Sequence, residues 1–494
     1  MLLTTMRAVL TTLLACVVAV SGVLAQSPRP ALTNEQLTSI DTFVAAEMKK
    51  EQVPGLAVGV YSRGTILLAK GYGLANVELS VPVKPETLFQ SGSVGKQFVS
   101  AAIMLLVEEG KVSLDDSVTK YFPDAPATWK PILLKNLLSH TSGLAEYESS
   151  ERIGPNGPFY LRMDYTEDEL AQKIEALPIE NAPGAKWAYR NTNYVLLGIL
   201  IHKVTGKPYQ DFLAERIFKP LGMTSTRPIS VADIIPNRAA GYDINRRNEL
   251  KNQGWVSPTF NSTADGTLYF NVLDLAKWDG ALYTTRLLKQ SSLDRMWTVF
   301  PLNNGMPNPA GYGFAWELNN QNGHKLIEHN GAWQGFTCAI SRYPDDSLTV
   351  VVLTNLGAGP ANPDLLAHVI AGMADEPLAV KKLVAIEDKH PELLTPLRKL
   401  LDSLAAGRDI GDQIDAKLTA QMPERRRKSI QGFLATIWPG GTLTLVDRDE
   451  EDGGIVSTYR LTKAGGVTRL IFFGMDKDGK VGIFATSQDQ EYKD

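Results

Sequence analysis

Phe336-Thr337-Cys338-Ala339-Ile340-Ser341-Arg342-Tyr343, the turn Pro344-Asp345-Asp346 and the run Leu348 to Leu353 read as a β-hairpin late in the chain. A second hairpin stands near the other end. Gly55-Leu56-Ala57-Val58-Gly59-Val60-Tyr61 is strand-like, Ser62-Arg63-Gly64 supplies a turn, and Thr65 to Lys70 returns. The stretch between them carries helical patterns at Lys96–Glu109, Glu167–Ala176, Tyr194–Val204 and Tyr209–Phe218. Thr33-Asn34-Glu35-Gln36 has the form of a capping box and opens a helix to about Lys50. Asn362-Pro363-Asp364 opens another, through Leu365 to Met373. Strands at both ends around a helical centre predict an α/β (α+β) fold. One antiparallel sheet is built from both chain ends of the domain, flanked by helices, with a helical insertion; a run of βαβ units is excluded.

Composition shifts near residue 376. From there the chain is charged and helical, and beyond Gly441 strands dominate: Leu443–Val446, Ile455–Leu461, Val467–Phe473 and Val481–Thr486. Asp452-Gly453-Gly454, Gly465-Gly466 and Asp478-Gly479 separate them as turns. The expected organisation is a leader over 1–25, a main domain over 26–376 and a small α+β domain, helices then a meander, over 377–494. Glu424-Arg425-Arg426-Arg427-Lys428 reads as a solvated helix face.

Arg7 precedes an apolar run from Ala8 to Val20, and Ser21-Gly22-Val23-Leu24-Ala25 offers small residues for a signal peptidase. Cleavage after Ala25 and a secreted or periplasmic protein are the expectation. A lipid anchor on Cys16 is disfavoured, because the apolar run continues past it. The only other cysteine, Cys338, sits in a strand-like run and reads as a buried small hydrophobe. A net charge of −4 gives no reason to expect nucleic acid as a partner. No later run is long enough to span a bilayer. The expected partner is a small-molecule or short-peptide substrate.

Ser93-Val94-Gly95-Lys96 places a hydroxyl and an amine three residues apart where a helical apolar run begins. Such residues share a helix face. The amine can then take the hydroxyl proton, which activates a serine without a histidine. The alternative is an N-cap serine followed by a surface lysine. Ser-x-x-Lys arises by chance roughly once in such a chain, and a second copy, Ser117-Val118-Thr119-Lys120, lies in a polar loop. There is no Gly-x-Ser-x-Gly elbow and no phosphate-binding loop. Six histidines without His-Glu-x-x-His suggest no metal site, and no cofactor is expected.

Three later segments complete a pattern: Pro183 to Gly198 around Tyr189-Arg190-Asn191, His329-Asn330-Gly331, and Leu137-Leu138-Ser139-His140-Thr141-Ser142-Gly143-Leu144. With Ser93-Val94-Gly95-Lys96 they resemble the serine β-lactamase and penicillin-binding protein superfamily, over about residues 33–373. The likeness is to class C β-lactamases and to the D-Ala-D-Ala carboxypeptidases and esterases related to them. The resemblance implies Ser93 as nucleophile, Lys96 as its base partner and Tyr189 as general base or proton shuttle. It implies Asn191, His329 and Gly331 as substrate-binding residues, with the backbone N–H groups of Ser93 and Ala332 as the oxyanion hole. It competes locally with Tyr269-Phe270-Asn271 and Lys477-Asp478-Gly479, which repeat the short patterns.

Two departures sharpen the expectation. His329 stands where most β-lactamases have lysine. A neutral imidazole offers a hydrogen bond but little positive charge, so recognition of a substrate carboxylate weakens. Arg190 stands where serine or alanine is common; it either supplies charge to the site or points to solvent. His140 reads as packing within its own loop, and Tyr147 and Trp333 either line the cleft or pack in the core. The resulting expectation is an exported serine hydrolase cleaving amides or esters. A true class C-like β-lactamase and a non-catalytic peptide- or glycan-sensing module are the alternatives.

Overall fold

The computed structural model describes residues 29–359, 361–381, 383–422, 424–450, 455–463 and 468–488. The expected leader and the turns at 452–454 and 465–466 lie outside the described residues. The chain divides into two compact units, one ending at Ala379 and the other beginning at Val380.

In the first unit, helix α1 (Asn34–Lys50) is closed by the reciprocal Thr33–Gln36 capping box. Strands β1 (Gly55–Ser62), β2 (Thr65–Asn76) and β3 (Val81–Pro82) follow. Helix α2 (Lys96–Glu108) leaves a short 3₁₀ turn, Gly92–Gly95. Helices α3 (Glu167–Glu175) and α4 (Asn191–Thr205) lie in the insertion. Late in the unit come β4 (Glu317–Gln321), β5 (His324–Trp333), β6 (Phe336–Tyr343), β7 (Leu348–Thr354) and α5 (Pro363–Ala374). The seven strands form one antiparallel sheet in the order β3-β2-β1-β7-β6-β5-β4, so the early and late hairpins meet at β1 and β7.

Strands β1, β6 and β7 are buried at every position, which requires cover on both faces. Strand alternation separates the two covers. Ala57 and Tyr61 join the large core shared with α2 and α4. Leu56 faces α1 and α5, with Met48 and Leu366. A buried ion pair ties the sheet to the helix Val272–Ala281. Asp279 accepts from Arg342 Nε at 3.0 Å, from Thr349 Oγ1 at 2.7 Å and from the Gly64 N–H at 2.9 Å.

Several element ends differ from expectation. β2 runs on to Asn76 rather than stopping at Lys70. The helix expected over Tyr209–Phe218 is α-helical only to Leu213, then turns as a π-helix over Ala214–Phe218. Helix α4 begins at Asn191, not Tyr194, because the Glu146 carboxylate accepts from the Asn191 N–H at 2.6 Å and caps the helix from a distant loop.

The second unit packs helices α6 (Leu394–Ala405) and α7 (Glu424–Ile437) with a four-stranded antiparallel meander. Its strands are β8 (Thr442–Asp449), β9 (Val456–Thr462), β10 (Thr468–Met475) and β11 (Val481–Gln488). Leu397, Leu400, Leu401 and Leu404, at helical spacing, share its core with Leu434, Tyr459 and Phe473. Lys428 of the basic cluster is exposed and pairs with Glu424 at 2.8 Å. Among the described residues no helix is long and apolar enough to cross a membrane.

Candidate active site

Ser93 sits in the 3₁₀ turn that feeds α2, and Lys96 is the first residue of the helix proper. One turn of chain therefore brings their side chains together: Lys96 Nζ lies 2.9 Å from Ser93 Oγ. Lys96 is fully buried, which removes the surface-lysine reading. Its ammonium also donates to Asn191 Oδ1 at 2.8 Å and to the carbonyl of Asp265. Burial pushes its pKa down to about 8, against the pull of Asp265, Glu148 and Glu146. The second Ser-x-x-Lys is structural: Ser117 caps a 3₁₀ turn and Lys120 pairs with Asp116 at 3.0 Å.

Tyr189 precedes α4 and brings its ring to 5.1 Å from Lys96 Nζ. The ring is half-buried, but its hydroxyl is closed off and makes no hydrogen bond of ordinary geometry. Burial raises the phenol pKa far above its usual range, and Ser93 is the neighbour that draws it back. The rings of His140, Trp187, Tyr312 and His329 surround it, with centroids 4.2 to 6.5 Å away. The competing Tyr269 pairs in a short strand away from this cage, and Asn271 caps the helix at Val272. Lys477-Asp478-Gly479 forms a turn in the second unit.

Strand β5 delivers the third element. Residues 329 and 331 share one face of the strand. A side chain on Gly331 would stand 2.4 Å from the Ser91 carbonyl and 2.7 Å from Ser93 N. A side chain on Gly92, itself at φ +45°, would stand 2.4 Å from Ala332 N. Only glycine lets the two backbones approach so closely, and that approach sets the Ser93 and Ala332 amides side by side. Cys338, on the neighbouring strand, is fully buried and donates to the Ser91 carbonyl at 2.9 Å.

His329 differs from expectation. Its Nδ1 lies 2.6 Å from the Asn330 carbonyl, which can only accept, so Nδ1 carries the proton. Nε2 then accepts from the Tyr312 hydroxyl at 2.9 Å. Burial lowers the imidazole pKa to about 4. The ring is thus neutral, and neither nitrogen is left to offer the hydrogen bond expected of it. Arg190 also resolves. Its guanidinium binds the carbonyls of Leu144 and Tyr189 and the Glu180 carboxylate at 2.7 Å, so it ties the loop together.

The feature that motif reading misses is acidic. Glu148 Oε2 accepts from Asn191 Nδ2 at 2.7 Å, which occupies the amide expected to meet substrate. Buried Tyr147 lies within 2.8 Å of Asp265 Oδ2 and 3.0 Å of Glu148 Oε1. Burial, then the charges of Asp265 and Glu146, push Glu148 up to about 8. Ser93, Asn191, Glu148, Asp265, Ala332 and Trp333 line one small cleft, whose lining, among the described residues, includes no Lys, Arg or His side chain. The signal for Glu146 and Glu148 was present in sequence, on either side of Tyr147 and close after the His140 segment. Asp265 had none. Among the described residues no group of three or more His, Cys, Asp or Glu side chains is placed to hold a metal ion.

Comparison with known proteins gives relatives along most of the first unit. Penicillin-binding protein 4* of Bacillus subtilis is 31% identical over 317 residues, covering 59% of this chain and 68% of the relative. Protein flp of Staphylococcus aureus is 28% identical over 348 residues, covering 68% of this chain and 66% of its own. The chain thus spans about two thirds of the length of these relatives. The D-amino acid amidase of Ochrobactrum anthropi SV3 superimposes with a TM-score of 0.57 at 26% identity, over 70% of this chain and 97% of that one. The octameric penicillin-binding protein homologue of Pyrococcus abyssi shares the fold, with a TM-score of 0.59 at 23% identity, over 92% of this chain and 97% of that one. Residues 40–373 match the family model for Beta-lactamase, and the chain belongs to that family of serine hydrolases.

Proposed function

We propose that this protein is an exported hydrolase that cleaves amide or ester bonds beside a substrate ammonium, as in D-amino-acid amides and D-amino-terminal peptides. The reaction runs through an acyl-enzyme on Ser93. Ser93 Oγ attacks the carbonyl carbon and its proton passes to Lys96; as the C–N or C–O bond breaks, Tyr189 gives its phenol proton to the leaving nitrogen or oxygen and is reprotonated from Lys96. The oxyanion forms against the amides of Ser93 and Ala332. Water then attacks the ester carbonyl and releases the acid, and Ser93 recovers its proton. Export rests on the Arg7–Ala25 leader pattern.

The observation that carries the substrate class is the lining of the cleft: two carboxyl side chains, Glu148 and Asp265, with Lys96, behind Ser93, as the nearest cation. A carboxylate-bearing β-lactam meets neither a lysine nor a free imidazole N–H at position 329, whereas a bound ammonium meets Glu148, whose carboxyl, held up at about 8 in the empty site, ionises against the adjacent positive charge. The 26% identical D-amino acid amidase of Ochrobactrum anthropi SV3 supports the same class. Its test is Glu148→Gln, assayed on a D-amino-acid amide and on a p-nitrophenyl ester of equal size without an amine. The substitution lowers kcat/KM for the amine substrate about 10- to 100-fold more than for the ester, the worth of one hydrogen bond to a charged group. Equal losses on both substrates remove ammonium recognition from the account.

A further inference from the structure

His140 lies outside the expected catalytic set, yet its contacts converge on Tyr189. It is 1% exposed and holds a left-handed backbone, φ +57°, which histidine adopts at a cost. Its carbonyl accepts from the Ala188 N–H at 2.9 Å. Its Nδ1 accepts from the Arg190 N–H at 3.2 Å and lies 3.3 Å from the Asn193 side-chain amide. Its ring lies 4.2 Å from the Tyr189 ring, centroid to centroid, tilted by 36°. The residues before and after Tyr189, and Tyr189 itself, are thus all held by one imidazole residue.

The tautomer follows. An Nδ1 that accepts from a backbone N–H places the proton of the neutral ring on Nε2. That N–H is buried without a partner. The His140 ring sits among those of Tyr189, Tyr194 and Tyr312, centroid to centroid 4.2, 5.2 and 5.0 Å. Burial, with the cations of Lys96 and Arg190 nearby, keeps the ring neutral.

We propose that His140 is a positioning residue for acylation: it holds Tyr189 in register beside Ser93 and Lys96 and closes that side of the site to water. The inference rests on the reading of Ser93 as nucleophile. Filling this space keeps Lys96 dry. The titratable groups facing Lys96 are Asp265, Glu148, Glu146, Tyr189, Tyr194, His140 and His329, with Ser93 and Asn191 hydrogen-bonded to it.

The test is the rate of Ser93 labelling by a fluorophosphonate, followed by intact mass from pH 6 to 9.5, in wild type, His140→Asn, Tyr189→Phe and the double variant. Asparagine tolerates the left-handed backbone and removes the ring. In His140→Asn, labelling slows about 100-fold through misplacement of Tyr189. Its rising pH limb moves up by about one unit, because water reaching Lys96 relieves the burial that lowers its pKa. In the Tyr189→Phe background the same substitution costs less than about threefold, since coupled residues are non-additive. A limb that stays at its wild-type position, or losses that multiply in the double variant, overturns the proposal. Loss of folded protein alone moves neither reading. If His140→Asn does not fold, His140→Phe keeps a ring but cannot accept from Arg190; wild-type rate and limb in that variant also overturn the proposal. No label on wild-type Ser93 refutes the nucleophile reading instead.

Discussion

The role proposed for Lys96 depends on its being dry. A lysine in water stays protonated until about pH 10.4 and cannot take a proton from serine near neutrality. Full burial brings this one to about 8. The sign of the pH dependence follows. The neutral amine is the acceptor, so acylation of Ser93 rises with pH, about tenfold per unit below pH 7, and levels above 8 to 9. His329, held near 4, adds no step between pH 5 and 8. Pre-steady-state acylation rates with an ester substrate check this; a rate flat from pH 6 to 9 contradicts it. At this scale the pairing of Ser93 with Lys96 was legible, since three residues make one helical turn. The tautomer of His329 was not, because it depends on Tyr312, which no local spacing links to it.

At the scale of elements, the site is a meeting of one turn, one helix start and one strand. Strand β5 approaches the turn at Gly92-Ser93 so closely that neither Gly331 nor Gly92 has room for a side chain. Gly331→Ala therefore pushes the strand from the serine and separates the two oxyanion amides. Turnover falls about 10²- to 10³-fold, the usual worth of one oxyanion donor. Steady-state kcat on an ester, with a melting curve to confirm folding, checks this; activity within about threefold of wild type contradicts it. His329 and Gly331 were legible through the resemblance, but not as neighbours on one face of β5, which the structure starts at His324. The start of α4 at Asn191 was not: Asn191-Thr192-Asn193 reads as loop until the Glu146 carboxylate caps it from another segment. The acidic wall escaped for the same reason, as Tyr147 and Asp265 meet across 118 positions of chain.

Across the whole molecule, the antiparallel sheet assembled from both ends of its unit was legible from the two hairpins, because β-branched runs with turn residues between them have few other uses. The pairing of β1 with β7 then closes the unit and presents the 3₁₀ turn, the helix starts and β5 on one side of the core. The central claim is that this closure exists to acylate Ser93. The most direct measurement is intact-mass spectrometry of the purified protein after exposure to a p-nitrophenyl ester or a fluorophosphonate, with peptide mapping of the adduct. The account predicts one adduct per chain, on the peptide carrying Ser93, absent from Ser93→Ala. An adduct that persists in Ser93→Ala, or a wild-type protein that takes none, contradicts it.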